Sequence, residues 1–95
     1  MSYEGIFTSA FKKDLKNLGK KHPKDLGKIV ISIETVILID PFSSDIKQLE
    51  CFEYYRSRVG KYRIVFDIEN ENRIIFLALD ERSSIYGGRL IRISA

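Results

Sequence analysis

The stretch Tyr54-Tyr55-Arg56-Ser57-Arg58-Val59-Gly60-Lys61-Tyr62-Arg63 carries four basic residues, three tyrosines and no acid. Its β-branched and aromatic content, broken by Gly60, predicts a strand, a tight turn and the start of a second strand. Side chains alternate across a sheet, so Arg56 and Arg58 leave one face while Tyr55, Ser57 and Val59 leave the other. In the following strand Tyr62, Ile64, Phe66 and Ile68 form one set, and Arg63, Val65 and Asp67 form the other. With the apolar set turned to the core, Arg63 joins Arg56 and Arg58 on the outer face. Three guanidinium groups on one surface suit phosphate, which they bind bidentately. The same charges also suit the solvated side of a half-buried sheet.

Upstream of the hairpin, Tyr3 to Phe7 reads as a first strand, and Thr8 or Ser9 supplies an N-cap oxygen for a helix. Phe11, Leu15 and Leu18 form its buried stripe, Lys12, Lys13, Lys16 and Lys20 decorate the rest, and Gly19 is placed to stop it. Pro23 opens a second helix whose apolar period runs through Leu26, Ile29, Val30, Ile33, Val36 and Ile37, ended by Asp40-Pro41. Phe42 to Glu50 is polar-rich and reads as a connection anchored by Ile46 and Leu49. From Phe52 the chain reads as a meander of strands Phe52–Val59, Tyr62–Ile68 and Arg73–Leu79, turning at Gly60-Lys61 and at Glu69 to Asn72. After Gly87-Gly88, the alternation of Arg89 to Ile93 fits a short terminal strand. The order β-α-α-β-β-β implies one α+β domain over 1–95, with an antiparallel sheet and two helices packed on its apolar face.

The net charge of +3 is modest, but it is segregated. Residues 1–28 carry net +4, residues 54–64 another +4, and residues 65–81 net −4. Such a field favours a polyanionic partner, either nucleic acid or an acidic protein. The apolar run Ile29 to Ile39 is interrupted by Ser32, Glu34 and Thr35 and is too short to span a bilayer. No signal peptide is evident, and the lone Cys51 fits a reducing cytoplasm. One histidine, His22, and one cysteine cannot furnish a usual zinc site, and the carboxylates lack an EF-hand spacing. Gly87-Gly88 lacks the context of a phosphate loop. We expect no metal and no cofactor.

The remaining chemistry lies with Arg56, Arg58, Arg63, Arg82 and Tyr86. When a ribose 2′-OH attacks the adjacent phosphate, the phosphorane gains charge and the 5′-oxygen must be protonated as it leaves. Fixed positive groups aimed at that phosphorane can each contribute a factor on the order of 10²–10³. Tyr86, its phenol acidified by neighbouring guanidiniums, could carry the proton, and Glu81 is the other candidate.

The run Tyr55-Arg56-Ser57-Arg58-Val59-Gly60-Lys61-Tyr62-Arg63-Ile64-Val65-Phe66 resembles the signature of the RelE/ParE toxin superfamily. Residues 7–18 resemble its first helix, and Arg82-Ser83-Ser84-Ile85-Tyr86 resembles its closing motif, so the likeness spans about residues 3–86. The resemblance implies a small α+β toxin neutralised by an antitoxin. RelE-type members cut messenger RNA on the ribosome without a metal, whereas ParE-type members inhibit DNA gyrase. By motif position, Arg56, Arg63 and Arg82 would hold the scissile phosphate, Arg58 would support them, and Tyr86 or Glu81 would move protons. Lys12, Lys13, Lys16 and Lys61 would contact RNA. The chain departs from the family pattern at Glu81, often histidine, and at Asp80, an arginine in the type enzyme.

Overall fold

A computed structural model describes residues 3–42, 46–48, 54–70 and 72–81. Thr8 decides where the first helix begins. Its Oγ1 accepts from the Phe11 N–H at 3.3 Å and donates to the Phe76 carbonyl at 2.8 Å, and its own N–H reaches the same carbonyl at 3.2 Å. One residue thus caps α1 (Ser9–Lys21) and ties it to the strand beneath. Phe11 and Leu18 are buried and Leu15 is partly so, as the stripe requires. Gly19 does not stop the helix. A Cβ there would come within 2.9 Å of Leu26 Cδ2, so the glycine serves the close approach of α2 (Pro23–Ser32). The stop falls at His22, whose N–H donates to Leu18 while its carbonyl accepts from Asp25 and Leu26.

The α2 helix continues into a π-helical turn over Ile33–Ile37, with Leu38 N–H bonded to the Ile33 carbonyl at 2.9 Å. Ile29, Ile33 and Ile37 are all buried at a spacing of four. In a regular α-helix that spacing drifts around the axis, and the wider turn keeps the three in line. Thr35 Oγ1 bonds back to the Ile31 carbonyl at 2.7 Å, a contact that bends helices. Among the described residues no helix is long and apolar enough to cross a membrane.

The strands are β1 (Glu4–Phe7), β2 (Ile46–Gln48), β3 (Tyr55–Val59), β4 (Tyr62–Asn70) and β5 (Arg73–Asp80), in the order β1-β5-β4-β3-β2. Two expectations are corrected. The segment Phe42 to Glu50 contains the edge strand β2, held by buried Ile46 and paired antiparallel to β3. The sheet is also mixed, because β1 runs parallel to β5. The two corrections have one cause. In a chain that doubles back at every connection, one more strand between β1 and β5 reverses their relative direction, and β2 is that strand. The hairpin turn at Gly60, with φ of 59°, lies where the sequence puts it. The expected terminal strand at Arg89 to Ile93 lies outside the described residues.

Tyr62, Ile64 and Phe66 of β4 and Ile74, Phe76 and Leu79 of β5 face the helices and join Phe11, Ile29, Ile33 and Ile37 in one core. Strand β5 carries a bulge: Phe66 pairs with Phe76, but Val65 pairs with Ala78, leaving Leu77 as the extra residue. The bulge shifts the alternation beyond it, turning Leu79 inward and Asp80 to the other face. Val65 and Ala78 are buried on that face, away from the helices.

The ring of Phe76 lies 5.0 Å from Phe7, 5.3 Å from Phe11 and 6.0 Å from Phe66, centroid to centroid. Truncating it should therefore loosen three elements together. We expect Phe76→Ala to cost about 3–5 kcal/mol in urea denaturation. Phe42→Ala, where the ring is 63% exposed, should stay within about 0.5 kcal/mol of wild type.

Candidate functional site

The β3–β4 register decides which arginines meet. Arg58 lies directly opposite Arg63, and Arg56 lies opposite Val65, while Ser57 pairs with Ile64 and Val59 with Tyr62. All three arginines therefore leave the sheet on the face away from the helices. Arg58 is exposed; Arg56 and Arg63 are half-buried. Like charges directly opposed across two strands repel, so the Arg58–Arg63 pair taken alone destabilises the sheet.

On its other side Arg63 faces Asp80 of β5, so Arg58, Arg63 and Asp80 form one row across three strands. Arg63 Nη1 donates to the Glu81 carbonyl at 3.1 Å. The Glu81 N–H donates to Asp80 Oδ1 at 2.7 Å, and the Glu81 carboxylate pairs with Lys61 Nζ at 3.3 Å. Glu81 thereby fastens the end of β5 to the hairpin that carries the arginines.

Sequence reasoning passed over the residues that brace this hairpin. The Tyr62 hydroxyl donates to Asp25 Oδ2 at 2.6 Å, joining β4 to the first turn of α2. Lys61 Nζ stands 5.5 Å from the centre of the Tyr62 ring, a cation–π distance. Asp14 of α1 accepts from the Leu79 N–H at 3.0 Å, a backbone donor beyond the end of β1. The Tyr62–Asp25 and Leu79–Asp14 contacts join residues far apart in the chain, and no local pattern announces them.

Not every expected site residue comes to this face. Lys12, Lys13 and Lys16 are exposed on α1, across the sheet from the arginines. Lys61 sits at the hairpin tip, engaged with Glu81. Arg82 and Tyr86 lie outside the described residues. A cavity of about 320 Å³ lies on the helix side of the strand ends, lined by Asp14, Lys21, His22, Tyr62 and Glu81 among others. A second, of about 410 Å³, is bounded by Asp25, Lys28, Gly60, Lys61 and Tyr62. Neither is lined by Arg56, Arg58 or Arg63. Among the described residues, no three His, Cys, Asp or Glu side chains gather to hold a metal ion.

Known proteins share this fold. The family model for the ParE toxin of type II toxin-antitoxin systems, parDE, matches residues 6–86. The chain belongs to the RelE/ParE toxin superfamily. Toxin RelE3 of Methanocaldococcus jannaschii is 34% identical over 82 residues, 85% of this chain and 92% of that protein. The toxin-antitoxin complex RelBE2 of Mycobacterium tuberculosis includes a chain of the same fold, with a TM-score of 0.75 and 26% identity over 86% of this chain and all of that one. The RelB-RelE antitoxin-toxin complex of Methanococcus jannaschii contains another, with a TM-score of 0.58 and 33% identity over 85% of this chain and 94% of that one.

In this RelE/ParE toxin the Tyr62–Asp25 bond fixes how the hairpin meets α2, and it titrates at both ends. Donation to Asp25, reinforced by burial, raises the Tyr62 phenol from 10.0 to about 12. Accepting that bond holds the Asp25 carboxyl below its ordinary 3.8. The raised phenol contributes stability that is full below pH 10 and lost as pH rises toward 12. The lowered carboxyl contributes stability present above pH 3.8 and lost as pH falls through its folded value. Tyr62→Phe should therefore be less stable than wild type at neutral pH. Urea unfolding followed into alkali should show the two curves converging between pH 10 and 12.

Proposed function

We propose that this toxin is a metal-independent endoribonuclease that cleaves messenger RNA on the ribosome and so blocks translation. The observation that carries the reading is the Arg58–Arg63 cross-strand pair, with Arg56 beside it, on one face of the sheet. Opposed guanidiniums make a surface that gains most from a phosphodiester lying between them. Relatives named as RelE toxins support the same reading.

In the proposed reaction the 2′-oxygen forms a bond to phosphorus and the bond to the 5′-oxygen breaks. The 2′-OH proton goes to a base, and the departing 5′-oxygen takes a proton from an acid. The products are a 2′,3′-cyclic phosphate and a 5′-hydroxyl. Arg56 and Arg63, together with Arg82, hold the phosphate and stabilise the charge that grows on its oxygens. Arg58 supports them. Because the Glu81 carboxylate is already engaged by Lys61, proton transfer falls to Tyr86 before Glu81. Lys12, Lys13 and Lys16 dock the toxin on ribosomal RNA through its phosphates. A cognate antitoxin supplies acids to the arginine face, in keeping with relatives solved as toxin-antitoxin complexes.

Asp80 beside Arg63 favours a second reading, a ParE-like inhibitor of DNA gyrase, since an acid there opposes phosphate binding. Primer extension on a translated message with purified toxin and ribosomes separates the two. Wild type should cleave, Arg63→Ala should slow cleavage on the order of 10²–10³-fold, and Tyr86→Phe should slow it by about 10²-fold or more. Replacing Lys12, Lys13 and Lys16 with alanine should weaken ribosome association and flatten its salt dependence without changing the maximal rate. Intact messages beside inhibited supercoiling by purified gyrase would decide for the second reading.

A further inference from the structure

Asp80 is the residue that the proposed chemistry leaves unexplained, because an acid next to a phosphate-holding arginine should weaken it. The bulge at Leu77 nonetheless turns Asp80 onto the arginine face, opposite Arg63. There its Oδ1 accepts the Glu81 N–H at 2.7 Å. That bond fixes the first peptide after β5, and the next carbonyl, that of Glu81, accepts Arg63 Nη1 at 3.1 Å. The Lys61 pair holds the same residue by its side chain at 3.3 Å. Glu81 is thus engaged at its N–H, its carbonyl and its carboxylate, and its carbonyl is an acceptor for the Arg63 guanidinium.

We propose that Asp80 is a positioning residue, which holds the Asp80–Glu81 peptide and so places Glu81, whose carbonyl orients Arg63 toward the scissile phosphodiester. The claim rests on the ribonuclease reading for its consequence, and on the hydrogen bonds alone for its geometry. What the role requires of Asp80 is an oxygen acceptor at the right place, and its negative charge is incidental. Asparagine keeps the acceptor and removes the charge; alanine removes both. A residue that acted by neutralising Arg63 would respond in the opposite way, since asparagine would then behave as alanine does.

The experiment uses the full chain, with folding of each variant checked by thermal unfolding. Single-turnover cleavage on the ribosome is measured against toxin concentration. Asp80→Asn should keep the maximal rate of wild type, with a half-saturating concentration equal to or below that of wild type. Asp80→Ala should lower the maximal rate roughly tenfold to 10²-fold, with the half-saturating concentration little changed. In an Arg63→Ala background, Asp80→Ala should slow the reaction no further. Should Asp80→Ala fail to fold, Asp80→Val takes its place, as a strand-forming side chain without an acceptor. A second measurement needs no activity: in the free protein, NMR should find slow rotation of the Arg63 Nη groups in wild type and Asp80→Asn, and fast rotation in Asp80→Ala. Asn as slow in cleavage as Ala, or Arg63 rotation indifferent to Asp80→Ala, overturns the inference. A wild type that leaves messages intact while its Arg63 rotation still depends on the acceptor supports the positioning and sinks the ribonuclease reading instead.

Discussion

Phe76 is the point on which the architecture turns. Its ring touches β1 through Phe7, α1 through Phe11 and β4 through Phe66, while its carbonyl accepts both donors of Thr8. Ring contacts go on from Phe66 to Tyr55, stacked at 6.0 Å, and from Tyr55 edge-on to Phe42 at 6.1 Å, so rings cross the sheet from its β1 side to β3 and beyond. A small domain has few apolar contacts to spare, and a fully buried aromatic removes a large area from water. Putting these rings on one side of the sheet anchors the helices there. The other side is left for charge.

That division is made by register. On β3 and β4 strict alternation suffices to separate arginines from core, but on β5 it does not. Had β5 kept its period beyond Phe76, Leu79 would have faced outward and Asp80 inward. The Leu77 bulge exchanges them, burying Leu79 and presenting Asp80 to Arg63. Bulges tend to occur where a strand must re-aim a side chain, and this one completes the row Arg58, Arg63, Asp80. The row sets one like-charge pair, Arg58–Arg63, beside one opposite-charge pair, Arg63–Asp80, so repulsion in the first is opposed by attraction in the second.

The hairpin, both helices, the Thr8 cap and the outward arginines were legible because each depends on neighbours close in sequence: alternation, a cap oxygen, a proline at a helix start, a glycine in a turn. What was not legible depends on partners far away. Strand β2 has three residues and one buried anchor, too little pattern to stand out from a polar connection, and missing it inverted the inferred direction of β1 against β5. Gly19 looks like a stop until Leu26 is brought against it. Asp80 counted against phosphate binding by its place in the closing motif, but that it lies opposite Arg63 depends on a bulge that Leu77-Ala78-Leu79 does not betray. Tyr62 read as one more inward aromatic, and its bond to Asp25 crosses 37 positions of sequence.

The separation of the two basic surfaces constrains any mechanism for this toxin. Lys12, Lys13 and Lys16 stand on the helical layer, and the arginines stand beyond the sheet. A helix alone is about 10 Å across, and the Debye length at physiological ionic strength is about 8 Å. The lysines would therefore contribute little, through screened solvent, to the potential at the arginine face. In the ribonuclease proposed above, charge stabilisation during bond breaking has to come from the guanidiniums of the sheet face. On that reading the lysines would act on association, and a short single strand lying on the arginines would leave them idle. A large folded RNA would engage both surfaces at once, its size supplying the affinity that a site with an acid in its row gives up.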